Sequence, residues 1–236
     1  MSKLSLIIAT YNEENNIVET LERSHKIMQS ISVPHELIVV DDASKDKTRE
    51  QVENLQKTIP EIILIKRDNE RGLATALIAG YNRATGDYLG SMDADLTAEP
   101  ELLEKMVNLL NQGQADFVIG SRYVPGAEFK GKPLLNKMAS LVGQRVAKII
   151  LGIKITDTSN NFRVFKKQVW EKIKDKLHPD GNVMIMEIAY LAYKNGFKIK
   201  EIPIIYIERR VGKSKLSVFK ETIKFFKNII KIKNGS

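Results

Sequence analysis

The sequence predicts an α/β fold, a mostly parallel sheet flanked by helices, and three observations lead there. Short apolar runs alternate with longer helical patterns through the first half of the chain. Those runs are apolar nearly throughout, as in strands covered on both faces, instead of alternating with polar residues. At 236 residues with 43% hydrophobic content, the chain is long enough to bury one large core.

The elements follow in order. Residues 4–9 (LSLIIA) read as the first strand, with a helix over 14–30. Residues 36–40 (ELIVV) form the second strand, before a helix over 47–58, and residues 62–66 the third, before a helix over 73–84. A fourth strand at 88–92, a helix at 101–112 and a fifth strand at 117–120 complete the alternation. Residues 124–133 (VPGAEFKGKP), rich in Gly and Pro, read as a mobile loop. An apolar helix is expected over 136–151, then a turn in ITDTSNNFRVF leading to an edge strand or short helix, a helix over 184–195, and the strand-like KIKEIPIIYIERR.

Composition removes several classes of function. The absence of cysteine excludes disulfides, thiolate metal sites and cysteine nucleophiles. The opening MSKLSLIIATYNEE meets Glu13 and Glu14 too soon for a signal peptide, and the longest uncharged run, 72–82, is too short to cross a bilayer. Net charge is +8, and residues 196–236 alone carry eleven Lys/Arg against three acids. That asymmetry calls for an anionic partner. On a helical wheel over 216–233, Lys220, Lys224, Lys227 and Lys231 share one stripe, and Phe219, Ile223, Phe225, Phe226, Ile229, Ile230 and Ile232 fill about half the circumference. Such a helix lies in a membrane interface or docks on its own domain; the pattern alone admits both. The tail lacks a nucleic-acid readout motif, and no nucleic acid is expected.

In open α/β sheets ligands bind beyond the carboxyl ends of the strands. That rule gathers residues 10–13, 41–46, 93–95 and 121–122 on one edge. Asp93 and Asp95, separated by Ala94, would repel one another unless a cation lay between them, and paired hard carboxylates suit Mg²⁺ or Mn²⁺ bound with substrate phosphates. Asp42 is placed to accept from a ribose or base, and Asp46 to cap the helix that begins near Lys47. The first strand lacks a G-x-G-x-x-G fingerprint after it, against a nicotinamide or flavin enzyme, and no Walker loop occurs. Glu187 and Glu201 read as structural and Trp170 as a packing residue; His25, His35 and His178 have no metal-site spacing.

Six blocks, ATYNEENNI, VVDDASKDKT, RGLATALIAGYNRATGDYLGSMDADL, VIGSRYVPG, TDTSNNFRVF and EIPIIYIERRVGKSKL, resemble the inverting family 2 glycosyltransferases. The last of them is similar to the dolichyl-phosphate mannose synthase branch, and an ending on one amphipathic helix resembles its members without transmembrane segments. The resemblance implies a Rossmann-like GT-A domain over 1–215 and a membrane-interface helix and tail over 216–236. It also implies transfer of mannose from GDP-mannose to dolichyl or polyprenyl phosphate, with a UDP-glucose enzyme as the alternative. By position, Ala9, Tyr11 and Glu13 match the segment around the nucleotide base and ribose, and Val40 and Asp42 its second contact. Asp93, Ala94 and Asp95 match the diphosphate and metal motif, with Thr97 where many relatives carry a glutamine ligand. Arg122, Arg209 and Lys215 match the cations around the donor and acceptor phosphates. Ala9 stands in place of the usual proline, and SNNFR in place of S-G-F-R. The implied location is the cytoplasm, peripherally on the cytoplasmic membrane face, with a membrane protein as candidate recruiter.

Overall fold

A computed structural model describes residues 2–130, 134–178, 181–207, 227 and 229–233. The first half follows the expected alternation: β1 (Leu4–Thr10), α1 (Ile17–Ser30), β2 (His35–Asp41), α2 (Thr48–Gln56), β3 (Ile62–Lys66), α3 (Leu73–Arg83), β4 (Tyr88–Asp93), α4 (Leu102–Asn111) and β5 (Phe117–Ser121). Then come β6 (Glu128–Lys130), α5 (Leu134–Leu151), β7 (Arg163–Lys166), α6 (Lys167–Ile173), α7 (Gly181–Lys194), β8 (Ile199–Pro203) and β9 (Ile205–Ile207).

Seven strands form one sheet in the order β3-β2-β1-β4-β7-β5-β8, and β6 and β9 pair separately. All contacts in the large sheet are parallel except those of β7, which runs antiparallel to both β4 and β5. The chain leaves β1 for β2 and β3 on one side and returns to β4 on the other, so the topological switch point lies between β1 and β4.

Successive side chains of β1 serve two cores. Leu6 and Ile8 join Ile17 and Leu21 of α1 and Leu103 and Met106 of α4; Ile7 joins Leu77 and Tyr81 of α3 and Ile188 of α7. Each fully buried aliphatic side chain contributes about 1.5–3 kcal/mol of transfer free energy, which fixes the register and hence which residues reach the carboxyl edge. Gly80 lets α3 lie close to the sheet: a Cβ there would stand 2.5 Å from Cγ2 of Ile7.

Three expectations are corrected. The short strand after SNNF is central, not at an edge, because β7 inserts between β4 and β5 and is buried on both sides. The loop at 124–133 contains β6, which pairs with β9, while 131–133 lie outside the described residues. The described part of KIKEIPIIYIERR, up to Ile207, is two strands in different sheets, and 208–210 lie outside the described residues. Trp170 is a packing residue, 2% exposed, with its ring 4.7 Å from Tyr81 and its indole N–H donating to Asn82 Oδ1 at 3.3 Å. The amphipathic pattern over 216–226 lies outside the described residues; of the rest, Ile229 and Ile232 are buried in the same core as Ala147 and Leu151. Among the described residues no helix is long and apolar enough to cross a membrane.

Candidate active site

The sheet register aligns three of the expected site residues. Ala9 pairs with Val40 on one side and Asp93 on the other, so the ends of β1, β2 and β4 open on one crevice. Of the four non-glycine residues with positive φ among those described, Asn12 (φ 55°), Ala43 (φ 58°) and Leu96 (φ 55°) lie in the turns directly after those three strands. A leucine held left-handed is strained, and Leu96 places that strain in the turn next to Asp95.

The first two turns are stitched together by side chains. Asn12 N–H donates to Ser44 Oγ at 2.9 Å and Lys45 N–H to Asn12 Oδ1 at 2.8 Å. Glu13 N–H donates to Thr48 Oγ1 at 2.8 Å, and Asn16 Nδ2 to Glu13 Oε2 at 2.9 Å. The N-cap of α2 is Lys47 and not Asp46 as expected; Asp46, one residue earlier, accepts Thr48 N–H at 3.0 Å and also takes Glu14 N–H at 3.2 Å. Fully buried Asp41 organises the turn itself, accepting from Ser44 N–H at 3.0 Å and forming an ion pair with Arg49.

Asp42 directly follows β2 and is 7% exposed. Its Oδ2 accepts Gly72 N–H at 2.8 Å, and its Oδ1 lies 3.0 Å from Arg67 Nη1 as an ion contact without hydrogen-bond alignment. Burial pushes this carboxyl above its usual range, against the opposing pull of the Gly72 N–H and Arg67. Gly72 adopts φ 131°, ψ 133°, a conformation suited to glycine. At the mouth, Tyr11 is 43% exposed and Arg71 lies 4.9 Å over its ring, an aromatic and cationic shelf suited to a nucleobase.

Asp93 ends β4 and accepts Asn161 Nδ2 at 3.0 Å; Asn161 Oδ1 in turn accepts Ser91 Oγ at 2.9 Å, and Ser91 accepts Tyr81 OH at 2.9 Å. Thr97 N–H donates to Asp95 Oδ1 at 3.1 Å, and Thr97 O accepts Ile207 N–H at 3.2 Å. Ala94 O receives Thr20 Oγ1 at 2.8 Å, tying the motif to α1. The donor set is hard carboxylate oxygen, with each carboxylate plane fixed by one N–H, and it fits a small divalent cation. Thr97, 7% exposed, orients Asp95 through its backbone.

Arg122 is not a lone cation. Asp157 grips it in a bidentate fork, Nε to Oδ2 at 2.8 Å and Nη2 to Oδ1 at 2.8 Å, and Nη2 also reaches Ser159 Oγ at 2.8 Å. Burial alone would lower the pKa of this guanidinium, but the carboxylate raises it well above the ordinary arginine value. The guanidinium lies over Tyr123 and Tyr206, at 5.4 and 5.6 Å. Arg209 and Lys215 lie outside the described residues.

Asp157 and Arg163 are the residues of this wall that sequence reasoning missed, while Glu201 is structural as expected. Glu201 receives Thr156 N–H at 2.8 Å and Asp157 N–H at 2.9 Å, which sets the Asp157 turn. Arg163, 1% exposed, donates to Asn160 O at 3.0 Å and Ile185 O at 2.7 Å, and burial pushes its pKa down to about 10. TDTSNNFR marked the segment; its partners lie tens of residues away. Glu187 is structural as expected, fully buried and accepting His178 N–H at 2.7 Å.

The Glycosyl transferase family 2 model matches residues 5–174. Among curated relatives, a dolichol-phosphate mannosyltransferase of Pyrococcus furiosus is 36% identical over 218 residues, 91% of this chain and 59% of that protein. A polyprenol monophosphomannose synthase of Mycolicibacterium smegmatis is 32% identical over 90% of this chain and 80% of its own length. The present chain thus spans under two thirds of the first relative and most of the second. Among solved structures, a mannosyltransferase of Pyrobaculum calidifontis in complex with GDP-Man and Mn²⁺ superposes with a TM-score of 0.64 at 21% identity, covering 98% of this chain and 64% of that one, a likeness of fold. With the sheet order, the crevice at its switch point and the family match over most of the sheet in agreement, the chain belongs to glycosyl transferase family 2.

Proposed function

We propose that the chain transfers mannose from GDP-mannose to dolichyl or another polyprenyl phosphate, inverting the anomeric centre in one displacement. The observation that carries this reading is similarity over nine tenths of the chain to enzymes named for that product, with the aspartate pair on the carboxyl edge of β4. The UDP-glucose alternative has no comparable support among these relatives.

In this proposal Tyr11 and Arg71 face the base, and Ala9, Glu13, Val40 and Asp42 line the nucleoside pocket, where a buried Asp42 discriminates by hydrogen bonding. Asp93 and Asp95 would hold Mg²⁺ or Mn²⁺, whose charge neutralises the departing diphosphate. A lipid phosphate is already anionic near neutral pH, so its oxygen attacks the anomeric carbon without a dedicated general base. Arg122 shapes the acceptor wall, but Asp157 compensates its charge, so the net positive charge holding two like-charged groups together is assigned to Arg209 and Lys215.

Membrane contact is part of the proposal. Val142 (57% exposed) and Ile149 (78% exposed), seven residues apart on one face of α5, flank exposed Arg145. An apolar and cationic stripe suits an anionic lipid surface on the cytoplasmic side. Burial of Ile229 and Ile232 favours self-docking for the end of the tail, leaving 216–226 as the candidate interface segment, with a recruiter as further partner.

The test is transfer of labelled sugar into an organic phase with dolichyl phosphate and Mg²⁺ or Mn²⁺. Label is expected to follow GDP-mannose and to vanish in Asp95→Ala. Label from UDP-glucose alone would overturn the donor, and a trapped glycosyl-carboxylate would overturn the single displacement.

A further inference from the structure

Spacing gives the histidines no metal signature, yet the fold brings two of them together at the edge of the sheet opposite the crevice. His25 lies in α1, His35 opens β2 in register with Leu4 of β1, and Glu61 immediately precedes β3. We propose that His25 Nδ1, His35 Nε2 and Glu61 Oε2 form a second divalent-cation site, of zinc type, separate from the aspartate pair at the far ends of the strands.

The three ligand atoms lie within 4.8 Å of one another. His25 Nδ1 is 2.9 Å from His35 Nε2 and 4.0 Å from Glu61 Oε2. His35 Nδ1 lies 2.9 Å from Val33 O, which can only accept, so that nitrogen carries the proton and Nε2 points its lone pair into the cluster. A ligand histidine is typically fixed in this way by a backbone carbonyl behind it. Glu61 Oε2 is buried without a hydrogen-bond partner, while the Glu61 carbonyl is pinned by Leu37 N–H at 2.9 Å. An unpartnered buried carboxylate oxygen is costly and is answered by a cation.

Geometry and chemistry agree on the class of ion. Two bonds of about 2.0–2.1 Å at a tetrahedral angle put ligand nitrogens about 3.3 Å apart, so the rings must separate by only a few tenths of an ångström. Two imidazoles and one carboxylate suit Zn²⁺, whereas Mg²⁺ prefers the all-oxygen crevice. All three residues are half-buried, leaving a fourth position to water. A bound ion would clamp α1, β2 and β3 at the end of the sheet remote from the chemistry.

The chain has three histidines, so ring ¹⁵N spectra resolve each and His178 serves as internal control. With Mg²⁺ in excess to fill the oxygen site, one equivalent of Zn²⁺ is expected to shift His25 Nδ1 and His35 Nε2 and leave His178 unmoved. Free Zn²⁺ at a hundredfold excess over Kd is expected to raise Tm by about 5–10 °C. Both effects are expected to disappear in His25→Gln, which lies on α1 and spares the His35–Val33 bond; His35→Gln is the second variant. No shift at His25 and His35, a shift at His178 instead, or shifts and stabilisation that persist at the remaining histidine in His25→Gln would overturn the site.

Discussion

Replacing Asp157 by Asn keeps the side-chain shape and removes the charge opposite Arg122. Asp157 is fully buried, the Arg122 side chain is 15% exposed, and the pair shares two hydrogen bonds of 2.8 Å, with a third from Arg122 N–H at 3.0 Å. An amide offers one oxygen, and its NH₂ meets guanidinium hydrogens, so at least one charge-assisted bond is lost and one donor–donor contact appears. Bonds to charged groups contribute about 1.5–3 kcal/mol each, and breaking a buried pair costs about 3–5 kcal/mol. Partial exposure of Arg122 places the expected loss at the lower end, about 3 kcal/mol, or a Tm lower by about 6–12 °C for a domain of this size. Urea unfolding of Asp157→Asn, Arg122→Gln and the double variant should return a coupling of about 2 kcal/mol. In the transfer assay both single variants should raise the acceptor KM more than they lower kcat, because the wall is displaced and the aspartate pair is untouched. Additivity within about 0.5 kcal/mol would refute the fork as organiser of this wall.

Three further outcomes are expected. Glu36 (5% exposed) accepts from Lys3 Nζ at 2.7 Å, Ser5 Oγ at 2.5 Å and Thr85 N–H at 2.7 Å; burial alone would raise its pKa, but these donors hold it at about 2 against an ordinary 4.5. Its contribution, at most about 3 kcal/mol, is complete above pH 4.5 and fades as pH falls toward 2, so the stability gap between wild type and Glu36→Gln in urea melts should close over that window; a gap independent of pH would refute the assignment. Gly80→Ala should cost about 1–3 kcal/mol in the same melts, because the new Cβ meets Ile7 at 2.5 Å with packed strand behind it. Asn161→Ala removes the amide donor to Asp93, and activity titrated with Mn²⁺ should require about 10–100-fold more metal while the Kd for GDP without metal stays put; an unchanged metal requirement would separate Asn161 from the site.

Much of the first half was legible because its signals are local. Near-continuous apolar runs of five to seven residues mark strands covered on both faces, and each strand end names residues of the candidate site: Tyr11 after β1, Asp42 after β2, Asp93–Asp95 at the end of β4. The pair of aspartates was readable as a candidate cation site because like charges that close repel one another unless a cation lies between them. The second half was less legible. β7 is four residues long, carries a buried arginine and runs against its neighbours, so neither periodicity nor composition marks it as central.

The sequence by itself determined the fold class, the edge that carries the candidate site with its aspartate pair, and the family resemblance, since each depends on residues close together in the chain. Only the tertiary structure decided who faces whom. Asp157 compensates Arg122 across 35 positions, Asn161 pins Asp93 across 68, and His25 meets His35 and Glu61 because α1 and the amino ends of β2 and β3 converge. These partnerships follow from strand order and register. Sheet order is selected by the total burial of two cores, and no single stretch of sequence encodes that sum.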